Sequence, residues 1–338
     1  MRAVGLSYAG RRLEVRQVPE PSITAPTEVL LRVREVGICG TDRELALFRL
    51  GFPPAGEEFL ILGHEALAEV VACGSGVSRL RPGDWVVPMV RRPCRPPCPS
   101  CARGRRDLCL APEQRERGIF GLHGYLTEYA VDEEEDLVPI PPSLVDYAVL
   151  IEPLSVVEKA VETALRVHQG VPVTALVVGA GPIGILAALL LRLRGLEVAV
   201  HSLEPEDHPR AALLVEAGIT YRPRLEGLPA DVLIEAAGSA EAALAGLERL
   251  APLGVAVLLG ADDAFGRFPF RGLIVGNRSL IGSVNASPSA FAAAVEDLGR
   301  LDRRILDRLL LRLPFAEAAR SILAPPEVTP KRVHVVAD

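Results

Sequence analysis

Lysine is almost missing from this chain: Lys159 and Lys331 are the only two, against 37 lysine and arginine residues in all. Such a skew accompanies genome composition or heat adaptation and assigns no function by itself. Basic charge is not in excess either, because 43 acidic residues leave a formal net charge of -6. That balance gives no general pull toward phosphate backbones and sets nucleic acid aside as a partner. Long apolar runs are also lacking. The longest, 183–191, ends at Arg192 and Arg194 and falls short of the ~20 residues of a membrane span. The opening Met1-Arg2-Ala3-Val4 has neither the apolar core nor the cleavage site of a signal peptide, so a cytoplasmic location is expected. A reducing cytoplasm disfavours disulfides. Four of the six cysteines crowd into 94–109, which makes metal binding their leading explanation.

What is present describes a globular protein of about two domains. Hydrophobic residues make up 49% and charged residues 24% of 338, enough apolar surface for cores without staples. Segments 29–38 and 66–73 alternate apolar and polar positions and read as strands. Pro82-Gly83-Asp84 marks a turn, and 93–99 is too proline-rich for a central strand or helix, which leaves the cysteine segment as an irregular lobe. From 154 to 167 the apolar positions Val157, Ala160, Val161, Ala164 and Leu165 recur at helical spacing, predicting a helix that bridges two domains. Beyond it come a strand at 175–178, a helix at 183–194 and a strand at 197–201. Strands at 232–235, 255–259 and 279–281 alternate with helices, which predicts an α/β fold with a parallel sheet. Residues 285–310 read as helical and 331–336 as a strand.

Gly179-Ala180-Gly181-Pro182-Ile183-Gly184 fits G-x-G-x-x-G between a predicted strand and an apolar helix. Gly179 permits the tight turn, Gly181 admits the pyrophosphate, and Gly184 allows close packing, with the helix N-terminus facing the phosphates. The acid that normally receives the adenosine ribose is replaced at the expected position by Ser202, with Glu204 two residues on. A neutral residue there removes the repulsion of a 2′-phosphate, so NADP or NAD is expected, with a slight lean to NADP.

Cys94, Cys98, Cys101 and Cys109 have the spacing C-x3-C-x2-C-x7-C. Four thiolates close a tetrahedral zinc shell with no open position, a structural rather than a catalytic site. Arg103, Arg105 and Arg106 beside them are expected to form a solvated face. Cys73 lies in a strand-like run and is assigned to packing.

Gly37-Ile38-Cys39-Gly40-Thr41-Asp42 and Gly63-His64-Glu65 resemble the zinc-binding motifs of medium-chain alcohol dehydrogenases. The lobe and the glycine motif follow in that family's order, so the resemblance covers nearly the whole chain. Residues 37–44, Arg91-Arg92 and Glu152-Pro153-Leu154 are most similar to the archaeal-type glucose dehydrogenases. The resemblance implies a β-rich GroES-like catalytic zinc domain (1–153 and 286–338) and a Rossmann dinucleotide-binding domain (154–285). It implies Cys39 and His64 as catalytic zinc ligands, with Glu65 or Glu152 supplying oxygen directly or through water. It implies that Thr41 passes the alcohol proton outward and that Asp42 orients His64. Glu116 and Asn285 match polar sugar contacts, whereas Val90 and Val156 are apolar where such enzymes usually offer polar groups.

The expected protein is thus a dehydrogenase with two zinc ions per chain that moves a hydride between a glucose-like sugar and NAD(P). A polyol or L-threonine-type dehydrogenase, or a non-catalytic nucleotide-binding protein, is the alternative. A homo-tetramer or dimer is expected, paired through the strand at 279–281.

Overall fold

The computed structural model describes residues 1–113, 115–227, 229–260, 266–267, 270–324 and 331–336. In the first part of the chain, period-two alternation sets the architecture. Strand Glu28–Gly37 buries Val29, Leu31, Val33 and Val36 on one core, as a pleated strand with one apolar face must. It pairs with Glu65–Cys73 on one side, and with Tyr129–Glu133 and Lys331–Val335 on the other. Two strands from late in the chain, Leu310–Pro314 and Lys331–Val335, therefore complete this sheet. The register sets Gly37 opposite Glu65, which carries the residues just after 37 up to those around 64. Lys331 starts the neighbouring strand.

The second layer system is the parallel sheet that the alternating elements predict. Its strands lie in the order Thr220–Arg222, Glu197–His201, Thr174–Val178, Ala230–Glu235, Leu250–Leu258, Ser279–Gly282, and all its ladders are parallel. The bridging helix runs Ile151–Val167, three residues longer at its start than its apolar spacing indicates, because a 3-10 segment at Pro142–Leu150 feeds straight into it. Its buried stripe packs on helices Pro182–Leu193 and Pro288–Leu298. The single helix expected over 285–310 is two. Ser287 caps Pro288–Leu298 and Asp302 caps Arg303–Leu309 through their side-chain oxygens, and each cap marks a fresh start. Asn285 lies outside both helices, at φ 60°.

One crossover is abbreviated. Among the described residues, no helix joins Thr220–Arg222 to Ala230–Glu235, although each of the other four connections in this sheet carries one. Right-handed connections that run in opposite directions along a sheet place their helices on opposite faces. Pro182–Leu193 and Pro209–Glu216 thus cover one face, while Ala240–Leu247 and Phe270–Gly276 cover only part of the other. Strand Glu197–His201 reflects this asymmetry. Val198 and Val200 join the main core, whereas Glu197, Ala199 and His201 line an open cleft of about 450 Å³ with Leu176, Arg222 and Arg249.

Candidate active site

The chain leaves strand Glu28–Gly37 and enters helix Gly40–Ala46 through a capping box. Cys39 Sγ accepts from the Thr41 N–H at 3.2 Å, and the Asp42 carboxylate accepts from the Cys39 N–H at 2.9 Å. The sulfur thus replaces the hydroxyl usual at an N-cap, and its direction is fixed by backbone. Gly63, at φ +88°, turns the opposite strand into His64. A Cβ there would lie 2.8 Å from Val36 and 2.9 Å from Leu126. These two local devices bring Cys39 Sγ within 3.0 Å of His64 Nε2.

Ligand atoms of Cys39, His64 and Glu65 all lie within 4.8 Å of one another, with His64 and Glu65 buried. Sulfur, nitrogen and oxygen donors in a set of three suit a zinc ion with one position left open. Asp42, wholly buried, places Oδ1 3.5 Å from His64 Nδ1, and neither atom has another partner. A metal at Nε2 requires the proton on Nδ1, and Asp42 is the acceptor waiting for it. Burial opposes a charge on His64, but Cys39 and Asp42 outweigh it and hold the pKa well above the ordinary histidine value. A cation in place of that proton uses the same field.

Of the two candidate carboxylates, Glu65 joins this trio and Glu152 does not. Glu152, in the first turn of the bridging helix, is buried, and its pKa is pushed up to about 8 by that burial and by the charge of Glu65. Lys331, which the sequence pattern did not single out, forms a buried ion pair with Glu65 and donates to the Ile38 carbonyl at 3.1 Å. A Cβ on Gly37 would lie 2.9 Å from the Lys331 side chain and collide with the Glu65 carboxylate. Its only sequence signal was the rarity of lysine.

In the lobe, the sulfurs of Cys94, Cys98, Cys101 and Cys109 also lie within 4.8 Å of one another, with Cys94 and Cys101 at 3.8 Å. Zinc–sulfur bonds of ~2.3 Å in a tetrahedron place sulfurs about 3.8 Å apart. Backbone N–H groups of Leu110 and Cys101 lower the Cys98 pKa to about 6, while burial raises that of Cys101 to about 12. The expected arginine face needs correction. Arg103 is exposed, but Arg105 binds Asp107 at 2.8 Å and Arg106 pairs with Asp136. Arg105 keeps a 41% exposed side chain beside its local partner Asp107, so only Arg106 leaves the solvated face, drawn in by the buried Asp136 thirty positions away. Cys73 packs against the first core, with its Sγ 3.6 Å from the Leu80 carbonyl.

Glu116 and Asn285 come together although 169 positions separate them: Asn285 Nδ2 donates to Glu116 Oε1 at 3.0 Å. Arg91 Nε donates to the same oxygen at 2.5 Å. Two residues on from Glu116, the Gly118 backbone packs against Gly63, where a Cβ would lie 2.6 Å from the Gly63 carbonyl oxygen, so the Glu116 segment abuts the turn that presents His64. In the glycine motif, Gly179 has φ +106° and packs on the backbone of Ala236 and Ala237, while Gly184 presses against the Gly179 carbonyl. Gly181 caps the helix that opens with Pro182 and Ile183, and nothing lies within 4 Å of where its Cβ would be. That open approach to a helix N-terminus suits a pyrophosphate.

A family model described as "Glucose dehydrogenase C-terminus" matches residues 145–321, and one described as "Alcohol dehydrogenase GroES-like domain" matches 25–142. The chain is 44% identical over 301 residues to a glucose 1-dehydrogenase of Thermoproteus tenax, covering 85% of this chain and 84% of that one. It belongs to the zinc-dependent glucose dehydrogenases of the medium-chain alcohol dehydrogenase superfamily. Another glucose 1-dehydrogenase, from Metallosphaera sedula, is 34% identical with 100% of this chain and 98% of the relative covered. The glucose dehydrogenase of Haloferax mediterranei, solved in complex with NADP, Zn and gluconolactone, superposes with a TM-score of 0.91 at 30% identity over 100% of both chains.

The end of strand Glu197–His201 holds a small closed network. Ser202 Oγ donates to Glu204, Arg210 pairs with Glu204 at 2.8 Å, and Tyr221 donates to the Glu204 carbonyl at 2.6 Å. The acid at this corner is thus already matched by a guanidinium, a pairing that the spacing of Ser202 and Glu204 does not reveal. Among the described residues, no helix is long and apolar enough to cross a membrane.

Proposed function

We propose that this protein oxidises a glucose-like aldose at its anomeric carbon, with the hydride passing to NADP or NAD and a lactone leaving. The observation that carries the reading is the convergence of Cys39, His64 and Glu65, with the Glu116 segment, paired to Asn285, packed through Gly118 on the turn at Gly63, on a chain that also holds the glycine turn. Zinc held by these residues, with Glu65 or Glu152 as the oxygen donor, supplies a Lewis acid that lowers the pKa of the sugar hydroxyl. Thr41, in the first turn above Cys39, carries the hydroxyl proton outward, and Asp42 holds the His64 ring. Glu116 and Asn285 receive sugar hydroxyls. Gly179, Gly181, Pro182, Ile183 and Gly184 seat the dinucleotide. Cys94, Cys98, Cys101 and Cys109 hold a second, structural zinc.

The Ser202 corner supports use of both cofactors with NADP modestly favoured, since Arg210 offsets Glu204. Ser202→Asp should shift the ratio of kcat/KM toward NAD by about tenfold, because one added charge repels the 2′-phosphate. An unchanged ratio places discrimination elsewhere. A cytoplasmic homo-tetramer or dimer fits strand Ser279–Gly282 at the sheet edge, with Ile274, Val275 and Val284 exposed beside it. A monomer at all concentrations in light scattering would count against it.

Turnover of a panel of aldoses, polyols and L-threonine with both dinucleotides tests the activity. Aldoses should lead. Val90 and Val156 favour one second reading, a polyol substrate with fewer hydroxyl contacts, and polyols leading the panel would establish it.

A further inference from the structure

The other lysine, Lys159, sits at a joint between three parts of the chain. Lys159 projects from the bridging helix, and its Nζ lies 2.9 Å from Asp107 Oδ2 and donates to the Val284 carbonyl at 2.8 Å. Asp107 belongs to the cysteine lobe, two positions before Cys109, and its side chain is 0% exposed. Arg105 holds both of its oxygens, at 3.0 Å and 2.8 Å. The Lys159 ammonium is therefore anchored on the lobe side. On its other side it grips the peptide just before Asn285.

That peptide needs gripping. Val284 is 67% exposed and contributes little packing, and Asn285 follows in a left-handed conformation at φ 60°, a region uncommon for non-glycine residues, although asparagine enters it more readily than most. Lys159 is the sole donor to the Val284 carbonyl among the described residues. With the peptide fixed, Asn285 Nδ2 meets Glu116 Oε1 at 3.0 Å. A lysine suits the task because one ammonium offers three donors in different directions.

From this juxtaposition we infer that Lys159 is a positioning residue that couples the cysteine lobe to sugar recognition by fixing the backbone of Asn285. The inference rests on the reading of Asn285 and Glu116 as sugar contacts. It makes no demand on hydride transfer itself, so the sugar KM and kcat should separate when Lys159 is lost.

Full-length, zinc-loaded Lys159→Met should raise the KM for glucose about tenfold, with kcat and the dinucleotide Kd within about twofold of wild type. Amides 284–286 should exchange faster. Asp107→Asn, which keeps the shape of the joint but weakens its charge, should move the same readouts in the same direction by less. Asn285→Ala should raise KM on its own, and adding Lys159→Met to it should raise KM no further, because both changes act through one contact. Additive effects on KM, or equal losses in kcat, KM and dinucleotide binding, overturn the inference in favour of a general structural role. Unchanged exchange at 284–286 overturns the tether. Faster exchange with Asn285→Ala leaving KM untouched overturns instead the reading of Asn285 as a sugar contact.

Discussion

The two cysteine-bearing clusters are built on opposite plans. Around Cys39 the donors are chemically mixed and come from strands and a helix start, and those at His64 and Glu65 are buried. In the lobe the donors are four sulfurs on short 3-10 turns and loops, each half-exposed. Three converging donors would leave room for a fourth group around a metal ion, whereas four would close the shell. Their supports differ as well. The first cluster is braced by single buried charges at Asp42 and Lys331, and the second is tied down at its margins by Arg105, Arg106 and Lys159. The lesson is that ligand number sets what a site can do, and the neighbouring charges set how rigidly it does it.

The sharpest way to break this comparison is to remove one ligand from each cluster. Cys39→Ser or His64→Ala should lower turnover on the order of a thousandfold or more, because Lewis-acid assistance is worth several kcal/mol. Dinucleotide affinity measured by fluorescence titration should hardly change, since the glycine turn lies on the other sheet. Loss of both functions together would mean collapse instead. Cys98→Ser should act the other way round. It should lower Tm by roughly 10 °C, as losing a structural metal costs several kcal/mol, while kcat per folded, zinc-loaded molecule stays near wild type. Metal analysis of wild-type protein should find two zinc ions per chain.

Lys331→Met tests the brace rather than a ligand. Breaking a buried pair leaves Glu65 uncompensated at a cost of about 3–5 kcal/mol without metal. Bound zinc compensates part of that, so the measured effect should be a 10–100-fold change in catalytic-zinc affinity. The lobe zinc should be retained to the same chelator concentration as in wild type. Equal loss of both ions would show that Lys331 supports the fold at large and not one cluster.

Much of this was legible in the residues. Motifs with rigid local causes, such as the glycine turn at 179–184 and the cysteine spacing, need only a few consecutive positions to be recognised. The strands Glu197–His201 and Lys331–Val335 likewise follow from short alternating or apolar runs. Pairings between distant positions were hidden. Nothing near Lys331 announces that its strand lies beside Glu28–Gly37, facing Glu65. Nothing near Arg106 announces Asp136, and the break at Gly299 was masked by apolar residues at Ala294, Leu298 and Leu301 that continue a helical rhythm across it. Sheet register decides the first two, and competition from the Asp302 cap decides the third.

The abbreviated crossover has a consequence for motion. Strand Thr220–Arg222 closes its sheet through three residue pairs with Glu197–His201 and, among the described residues, has no strand beyond it. On one side no helix among the described residues presses it down. Regions so thinly held open far more often than the rest of a domain, independently of global unfolding. The Ser202–Tyr221 corner, which we propose faces the adenosine of the dinucleotide, is fastened to this strand, so this margin should breathe while the glycine turn stays shut. Binding of the dinucleotide then orders a loose margin, and amide exchange at 220–222 should slow on adding NADP more than at 175–178. Equal slowing at both strands would mean that the margin is as firm as the centre.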